Sequence, residues 1–319
     1  MRLPRVPART YRWICAATLV VVAAIVITGA AVRLTNSGLG CSDWPSCSQT
    51  QFVSVSGFHR SIEQINRLFT GAISVTIILA VLGSLARVPR RRDLVWWSLG
   101  LVGGLVAQIV LGGISVKLKL SPPTVMAHYL LSAVLVWNAI VLFDRSGRPE
   151  VPAPEVPDRE AGDAAVMVPG SSLVGARERQ LSRAMVAVAG AVLVTGTVVT
   201  GTGPHGGDQN VRRLPYQVED VARIHSLTAW ALLALTLVTL GLVYRAGTTS
   251  SVRARGMVLT GAILVQGALG YTQYFLGVPP GLVIVHVAGS VAVWGAVLWF
   301  HLGLTEYRSP AVPYPEPTG

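Results

Sequence analysis

The sequence predicts an all-α integral membrane protein: eight transmembrane helices forming two repeated four-helix bundles in a parallel, pseudo-twofold relation. Three observations carry this. Of 319 residues, 51% are hydrophobic and only 13% charged, half the ~25% of a soluble domain. The charges fall in short islands between apolar runs of about twenty residues, the length that spans a hydrocarbon core. The third and fourth runs also recur, polar residues included, 158 residues further on. A soluble enzyme is excluded.

The first run, 13–33, follows Arg2, Arg5, Arg9 and Arg12. A basic start before an apolar stretch also describes a signal peptide, but Trp13–Val32 is longer than a signal core and seven more runs follow, so it is read as a retained helix. The second run, 62–86, carries Glu63, Asn66 and Arg67 at one end and Arg87, Arg90, Arg91 and Arg92 beyond the other. A short connection with Lys117, Lys119 and Pro122 joins 94–114 to 125–143. Residues 144–180, rich in Pro, Ala, Glu and Asp and without apolar periodicity, read as a mobile cytoplasmic linker. Runs 182–202, 221–243, 257–277 and 282–304 complete the set. The expected organisation is an N-terminal bundle over 1–143, a linker over 144–180, a C-terminal bundle over 181–304 and a cytoplasmic tail over 305–319.

An even number of spans puts both termini on one side. Placing them inside assigns 18 of the 26 Lys and Arg residues to the cytoplasm, among them the Arg87–Arg92 cluster, Arg145, Arg148, Arg177, Arg179, Arg183, Arg245, Arg253 and Arg255. That asymmetry is the positive-inside rule. The net charge of +11 therefore reports orientation in a lipid bilayer, and no nucleic-acid partner is expected.

The repeat selects the interesting positions. A shift of 158 pairs Gly103 with Gly261, Gln108 with Gln266, Gly112 with Gly270, Pro122 with Pro280, His128 with His286 and Ser132 with Ser290. A shift of 159 lays Ile65-Asn66-Arg67-Leu68 over Ile224-His225-Ser226-Leu227. Apolar matches are cheap in membrane helices, whereas a shared Gln, Pro and His in one frame are not. Asn66, His128, His225 and His286 thus stand out, each four or five residues inside the outer end of its run, ~6–8 Å deep. A single membrane histidine often only hydrogen-bonds a neighbouring helix. Three of four equivalent positions being His, at matched depth on helices that can face each other across a bundle, suits axial ligation of a planar metal macrocycle. His59 and His205 fall in outer loops and His301 near an inner end, and they read as solvated or interfacial. A zinc site lacks its ligand spacing.

Cys41 and Cys47 enclose five residues in the outer loop after the first run, where a disulfide can persist. They are either a staple or a redox-active pair. Cys15 reads as a small buried residue. Glu63 is the one acid that enters a helix at the depth of the histidines. It is either a surface partner of Arg67 at i+4 or a carboxylate beside a macrocycle, able to take a proton or stabilise positive charge.

Together these residues resemble the haem A synthase family. The features that carry the resemblance are the string Gly38-Leu39-Gly40-Cys41-Ser42-Asp43-Trp44-Pro45-Ser46-Cys47, the Glu63–Arg67 segment, the Pro122…His128 and Pro280…His286 strings, Arg223-Ile224-His225, and Thr200-Gly201-Thr202-Gly203-Pro204-His205-Gly206-Gly207-Asp208. The resemblance covers nearly all of 12–304 outside the linker. It implies an oxidoreductase of a bacterial plasma membrane that converts haem O to haem A, taking one ring methyl through the alcohol to the aldehyde for cytochrome oxidase. It further implies a resident haem b on His225 and His286, the haem O substrate on His128, Glu63 as catalytic carboxylate, and a Cys41–Cys47 disulfide. Both haem sites would lie near the outer face, and haem O synthase and terminal-oxidase assembly proteins are the implied partners. One departure is expected to matter: the family commonly has His where this chain has Asn66, so the substrate iron would have His128 on one side and an open or water-bound face on the other. Two other classes fit the repeat. A b-type cytochrome passing electrons from quinol would bind haem without modifying it, and a transporter would bind none.

Overall fold

The computed structural model describes residues 5–148 and 174–304. Among them are eight long helices: α1 (Ala8–Leu34), α2 (Phe58–Ala86), α3 (Arg92–Lys117), α4 (Pro122–Ser146), α5 (Ala176–Thr202), α6 (Val218–Arg245), α7 (Ser250–Phe275) and α8 (Pro280–Gly303). A parallel pair of two-residue strands, β1 (Val6–Pro7) and β2 (Arg87–Val88), ties the approach to α1 to the end of α2.

Every helix begins ahead of its apolar run, because first turns are built from residues that hydropathy counting skips. Pro122 and Pro280 open α4 and α8, where a fixed φ and a missing N–H cost nothing. Asp93, Glu178, Glu219 and Asp220 lie in the first turns of α3, α5 and α6, favoured there by the helix dipole. The segment read as linker is accordingly shorter at both ends, since α4 runs to Ser146 and α5 starts at Ala176. The rest of that expectation, and the tail over 305–319, falls outside the described residues.

The helices contain 24–29 residues, roughly 36–44 Å, enough to cross a ~30 Å hydrocarbon core with turns to spare. Seven of the eight are long and apolar enough to be membrane spans by composition; α7 is the exception. Its basic start (Arg253, Arg255) and its Gln266, Thr272 and Gln273 dilute it. It is nonetheless a multi-pass membrane protein, and α7 packs between α6 and α8 as α3 packs between α2 and α4.

Helix neighbours show the internal symmetry. α1 and α3 each contact α2 and α4, while α5 and α7 each contact α6 and α8. Between the two sets, α1 meets α8, α4 meets α5, and α4 meets α8. Exchanging α1–α4 for α5–α8 maps this whole pattern onto itself, with α4 and α8 at the pseudo-axis. There the Tyr129 hydroxyl and Ser290 Oγ lie 2.7 Å apart, and the Trp294 indole N–H donates to the Ala133 carbonyl at 3.0 Å. Lipid offers helices little hydrophobic drive to associate, so close packing and such hydrogen bonds carry the assembly. Exposed Ile65, Leu79, Val106, Leu237 and Val265 belong to the outer helices and meet lipid.

The two ends of the bundle differ. At one, Arg91 and Arg145 hold Asp93 at 2.7 and 3.5 Å, Arg148 holds Asp144 at 2.5 Å, and Arg145 and Arg12 lie over Trp97 and Phe143. The other carries the connections 35–57, 118–121, 203–217 and 276–279. The first is eight residues longer than its counterpart 203–217, and it holds the cysteines. The two long loops are joined where the Gly38 N–H donates to the Gly207 carbonyl at 2.9 Å. Gly207 has φ +102°, which a side chain would resist. Arg33 of α1 donates to the His205 carbonyl at 2.5 Å, and His205 Nε2 reaches the Val278 carbonyl at 2.8 Å. His205 is therefore a fastener between the halves and not a solvated loop residue.

Candidate functional site

A cavity of about 1280 Å³ opens at the loop end and is lined from both halves, including Glu63, Asn66, Arg67, His128, His225 and His286. It exceeds the ~300–1,000 Å³ of an ordinary small-ligand site, so it has room for more than one bulky ligand. The four repeat positions lie six to eight residues inside their helices, ~9–12 Å from the helix starts. That is deeper than hydropathy counting implied, because the polar first turns add length.

His225 of α6 and His286 of α8 face each other across this space, with ring centres 6.4 Å apart and planes at 74°. An atom ligated by both imidazoles would separate ring centres by about 6 Å, from two ~2 Å metal–nitrogen bonds and ~1 Å from each nitrogen to its ring centre. The Thr195 hydroxyl bonds the Ala191 carbonyl at 3.0 Å and lies 3.1 Å from His225 Nδ1. With its own proton on a carbonyl, Thr195 accepts from Nδ1–H, which leaves Nε2 unprotonated and available to a metal.

The shared glutamines now have a job. Gln266 Nε2 donates to the His286 carbonyl at 2.7 Å, and Gln108 Nε2 donates to the His128 carbonyl at 3.1 Å and to Ser132 Oγ at 2.6 Å. Each fixes the helix turn that presents a histidine. Each imidazole also leans on a glycine: a methyl at Gly112, Gly196 or Gly270 would lie 3.3, 3.1 or 3.2 Å from Cε1 of His128, His225 or His286. A side chain there would make each ring give by a few tenths of an ångström. His128 and His286 keep a buried Nδ1 with no hydrogen-bond partner among the described residues, while both side chains line the cavity. These residues fit an axially ligated macrocycle.

Asn66 occupies the position equivalent to His225, and its Nδ2 donates to Thr28 Oγ1 at 2.9 Å. Three residues earlier, Glu63 is buried, with 5% of its surface exposed. Its Oε1 accepts Arg67 Nε at 3.0 Å and Nη2 at 2.5 Å, and its Oε2 accepts the Cys41 N–H at 2.7 Å. This is no surface ion pair. Arg67 also donates to the Asp43 and Ser46 carbonyls at 3.1 and 3.2 Å, so the pair grips the cysteine loop. Cys41 and Cys47 are joined in a disulfide. Trp44 from the same loop lies against Gly113 of α3, with no room for a Cβ there, and lines the cavity. In the C-terminal half, Glu63 and Arg67 are replaced by Ala222 and Ser226.

His59 and His301 stay outside the cavity. His59 Nδ1 pairs with Ser37 Oγ at 3.0 Å and His301 Nδ1 with Ser182 Oγ at 2.9 Å. Sequence reasoning missed Thr28, Thr195 and Gly196. Their signal was present, since Thr28-Gly29 matches Thr195-Gly196 at a shift of 167, but the longer loop puts this register eight residues off that of the next helix.

The sequence profile of the family described as "Cytochrome oxidase assembly protein" matches residues 11–56 and 53–298. Among its relatives, the chain is 26% identical over 315 residues to "Heme A synthase" of Rhizobium rhizogenes, covering 85% of this chain and 83% of that protein. It is 22% identical over 308 residues to "Heme A synthase" of Shewanella oneidensis, covering 87% and 92%. A third, "Heme A synthase" of Geobacillus kaustophilus, is 31% identical over 146 residues, 44% of each chain. With a profile match across almost all of both helix sets, above a cavity ringed by histidines and one buried carboxylate, this chain belongs to the cytochrome oxidase assembly protein family.

Proposed function

We propose that the chain is a haem A synthase, oxidising a ring methyl of haem O through the alcohol to the formyl group of haem A. One observation carries the division of labour. The repeat preserves the glycine–histidine cradle of His128 and His286 in both halves, but the buried Glu63–Arg67 pair exists only in the N-terminal one. On this reading residues 1–143 form the substrate side, with His128 as ligand to the haem O iron and Asn66 in its pocket. Residues 181–304 hold a resident haem b on His225 and His286. When bound, haem b supplies one-electron redox chemistry, which no side chain here provides.

The protein's own part is positional and electrostatic. Thr195 sets the His225 tautomer, and Gln108 and Gln266 fix the turns that present His128 and His286. Arg67 takes Glu63 Oε1 with two N–H groups, leaving Oε2, with the single Cys41 N–H, as the less engaged oxygen and the one that can hold a proton. A pinned carboxylate at the cavity wall stabilises positive charge at the carbon losing hydrogen and receives its proton. Trp44 and the stapled loop close this side from water. The Cys41–Cys47 bond acts as a staple through Cys41 N–H, which it holds on Glu63.

The arginine-rich end would face the cytoplasm with both termini, the linker over 144–180 and the tail over 305–319. The cavity would then open toward the outer face of a bacterial plasma membrane. Haem O synthase, which delivers the substrate, and terminal-oxidase assembly proteins, which take the product, are the expected partners.

Co-expression with a source of haem O, followed by extraction and chromatography of the haems, tests the activity. Haem A is the expected product. Unmodified haem O alone, beside an intact haem b spectrum, would leave a b-type cytochrome, and a haem-free protein would leave a transporter. The cradle makes a separate prediction: in Gly270→Ala the new methyl presses on His286, an overpacking cost of ~1–3 kcal/mol. Haem retained per protein should then fall by about tenfold in affinity while helix content by circular dichroism stays unchanged. Full haem retention would show that the glycine is not a cradle.

A further inference from the structure

We infer that the substrate-side haem site is built open on one face: His128 alone ligates the iron, and the space bounded by Thr28, Gly29 and Asn66 is a binding site for a small exogenous ligand, of water or diatomic size. This rests on the substrate-haem reading above and on the open or water-bound face expected from Asn66, and adds where that face lies in the fold and what it binds.

The C-terminal half of the same chain shows what a filled position looks like. Thr28-Gly29 of α1 and Thr195-Gly196 of α5 are equivalent, as are Asn66 and His225. The supports are alike in both halves, with Thr195 also reaching the Ala191 carbonyl at 3.0 Å. Thr28 Oγ1 reaches the Ile25 carbonyl at 3.2 Å and Thr195 Oγ1 the Val192 carbonyl at 3.1 Å, each three residues back. Each hydroxyl then takes a nitrogen from the neighbouring helix: Asn66 Nδ2 at 2.9 Å, His225 Nδ1 at 3.1 Å.

What differs is what lies beyond that nitrogen. In His225 the ring continues through Cε1 to Nε2, and a methyl at Gly196 would lie 3.1 Å from Cε1 and 3.8 Å from Nε2. In Asn66 the side chain ends at the nitrogen on Thr28. A methyl at Gly29 would meet no atom within 4 Å. Gly112, Gly196 and Gly270 each carry an imidazole, and the fourth cradle, Gly29, carries none. Asn66 lacks the outer part of an imidazole ring, and Gly29, which lines the cavity beside it, is left uncovered. It is edged by Asn66 Oδ1 and the second amide N–H, which Thr28 does not use. A small ligand that accepts or donates one hydrogen bond suits that border, and the bond to Thr28 holds Asn66 on the α1 side of it.

The test uses the full-length protein in detergent or nanodiscs with both haems bound, counted by haem-to-protein ratio. Carbon monoxide on the reduced protein and cyanide on the oxidised protein are the probes. The expected result is about one probe molecule per two haems, with a high-spin signal from the open haem and a low-spin one from the bis-histidine haem. Asn66→His should convert the high-spin signal to low-spin and weaken carbon monoxide binding at least ~10-fold at unchanged haem content. Gly29→Leu, which fills the gap and leaves Asn66 in place, should block the probes without making a new ligand. Two bound haems that both refuse carbon monoxide would overturn the inference, as would an Asn66→His protein that binds it as wild type does. The parent reading fails differently: His128→Ala would then leave haem content unchanged, because no haem sat there to lose.

Discussion

Glu63→Gln is expected to lower haem A formation by ~10²–10⁴-fold, the usual range for a positioned acid–base group, while both haem sites still fill. Glutamine keeps the shape and can still accept the Cys41 N–H, so the change removes charge and basicity with little else. It also leaves Arg67 without its carboxylate, a loss worth up to ~3–5 kcal/mol for a fully buried pair. Arg67 retains the carbonyls of Asp43 and Ser46 and is itself 18% exposed, so the fold should survive. The measurement is the ratio of haem A to haem O in extracts, set against haem content of the purified protein. Glu63→Asp, which keeps the charge and shortens the reach, should fall between. Haem A made at the wild-type rate by Glu63→Gln would remove the carboxylate from the mechanism and return it to a loop anchor.

His286→Ala should cost the second large effect: loss of the C-terminal haem and, with it, of turnover. His225 and His286 stand at about the separation that ligation of one metal by both would give, so on the proposed ligation deleting the His286 ring removes half of it and leaves the cradle at Gly270 empty. The low-spin spectrum should vanish and haem A formation fall by at least ~100-fold, because the redox partner is gone. His225→Ala should behave alike. Exogenous imidazole offers a control, since it can enter the emptied cradle and restore the low-spin signal. A His286→Ala protein that keeps its low-spin haem would place the ligands elsewhere.

The histidines and Glu63 were legible in the sequence for one reason. In helices where nearly every residue is apolar, a polar one that recurs at a fixed interval has few explanations. Gln108 and Gln266 were visible on the same grounds, although their role, holding the carbonyls of His128 and His286, was not. Thr28 and Thr195 escaped notice because a threonine in an apolar run is ordinary and the eight extra residues of the 35–57 loop break the register. Glu63 was equally compatible with a surface pair at i+4; only burial under the disulfide loop decides against that. Helix starts were misplaced inward for a physical reason as well, since prolines and acids that suit a first turn carry no apolar signal.

By itself the sequence determined the membrane class, the number of helices, the duplication and the candidate site residues. Those features answer to lipid and water one helix at a time, and they are written along the chain as hydropathy, charge islands and repeats. Only the tertiary structure decided which helices face each other, that His225 and His286 meet across one cavity, and that Asn66 leaves a gap where an imidazole would lie. Lipid tails are as apolar as leucine, so hydropathy does not say which face of a helix meets lipid and which meets protein. That choice falls to close packing at glycines such as Gly112, Gly196 and Gly270, and to a few hydrogen bonds between helices.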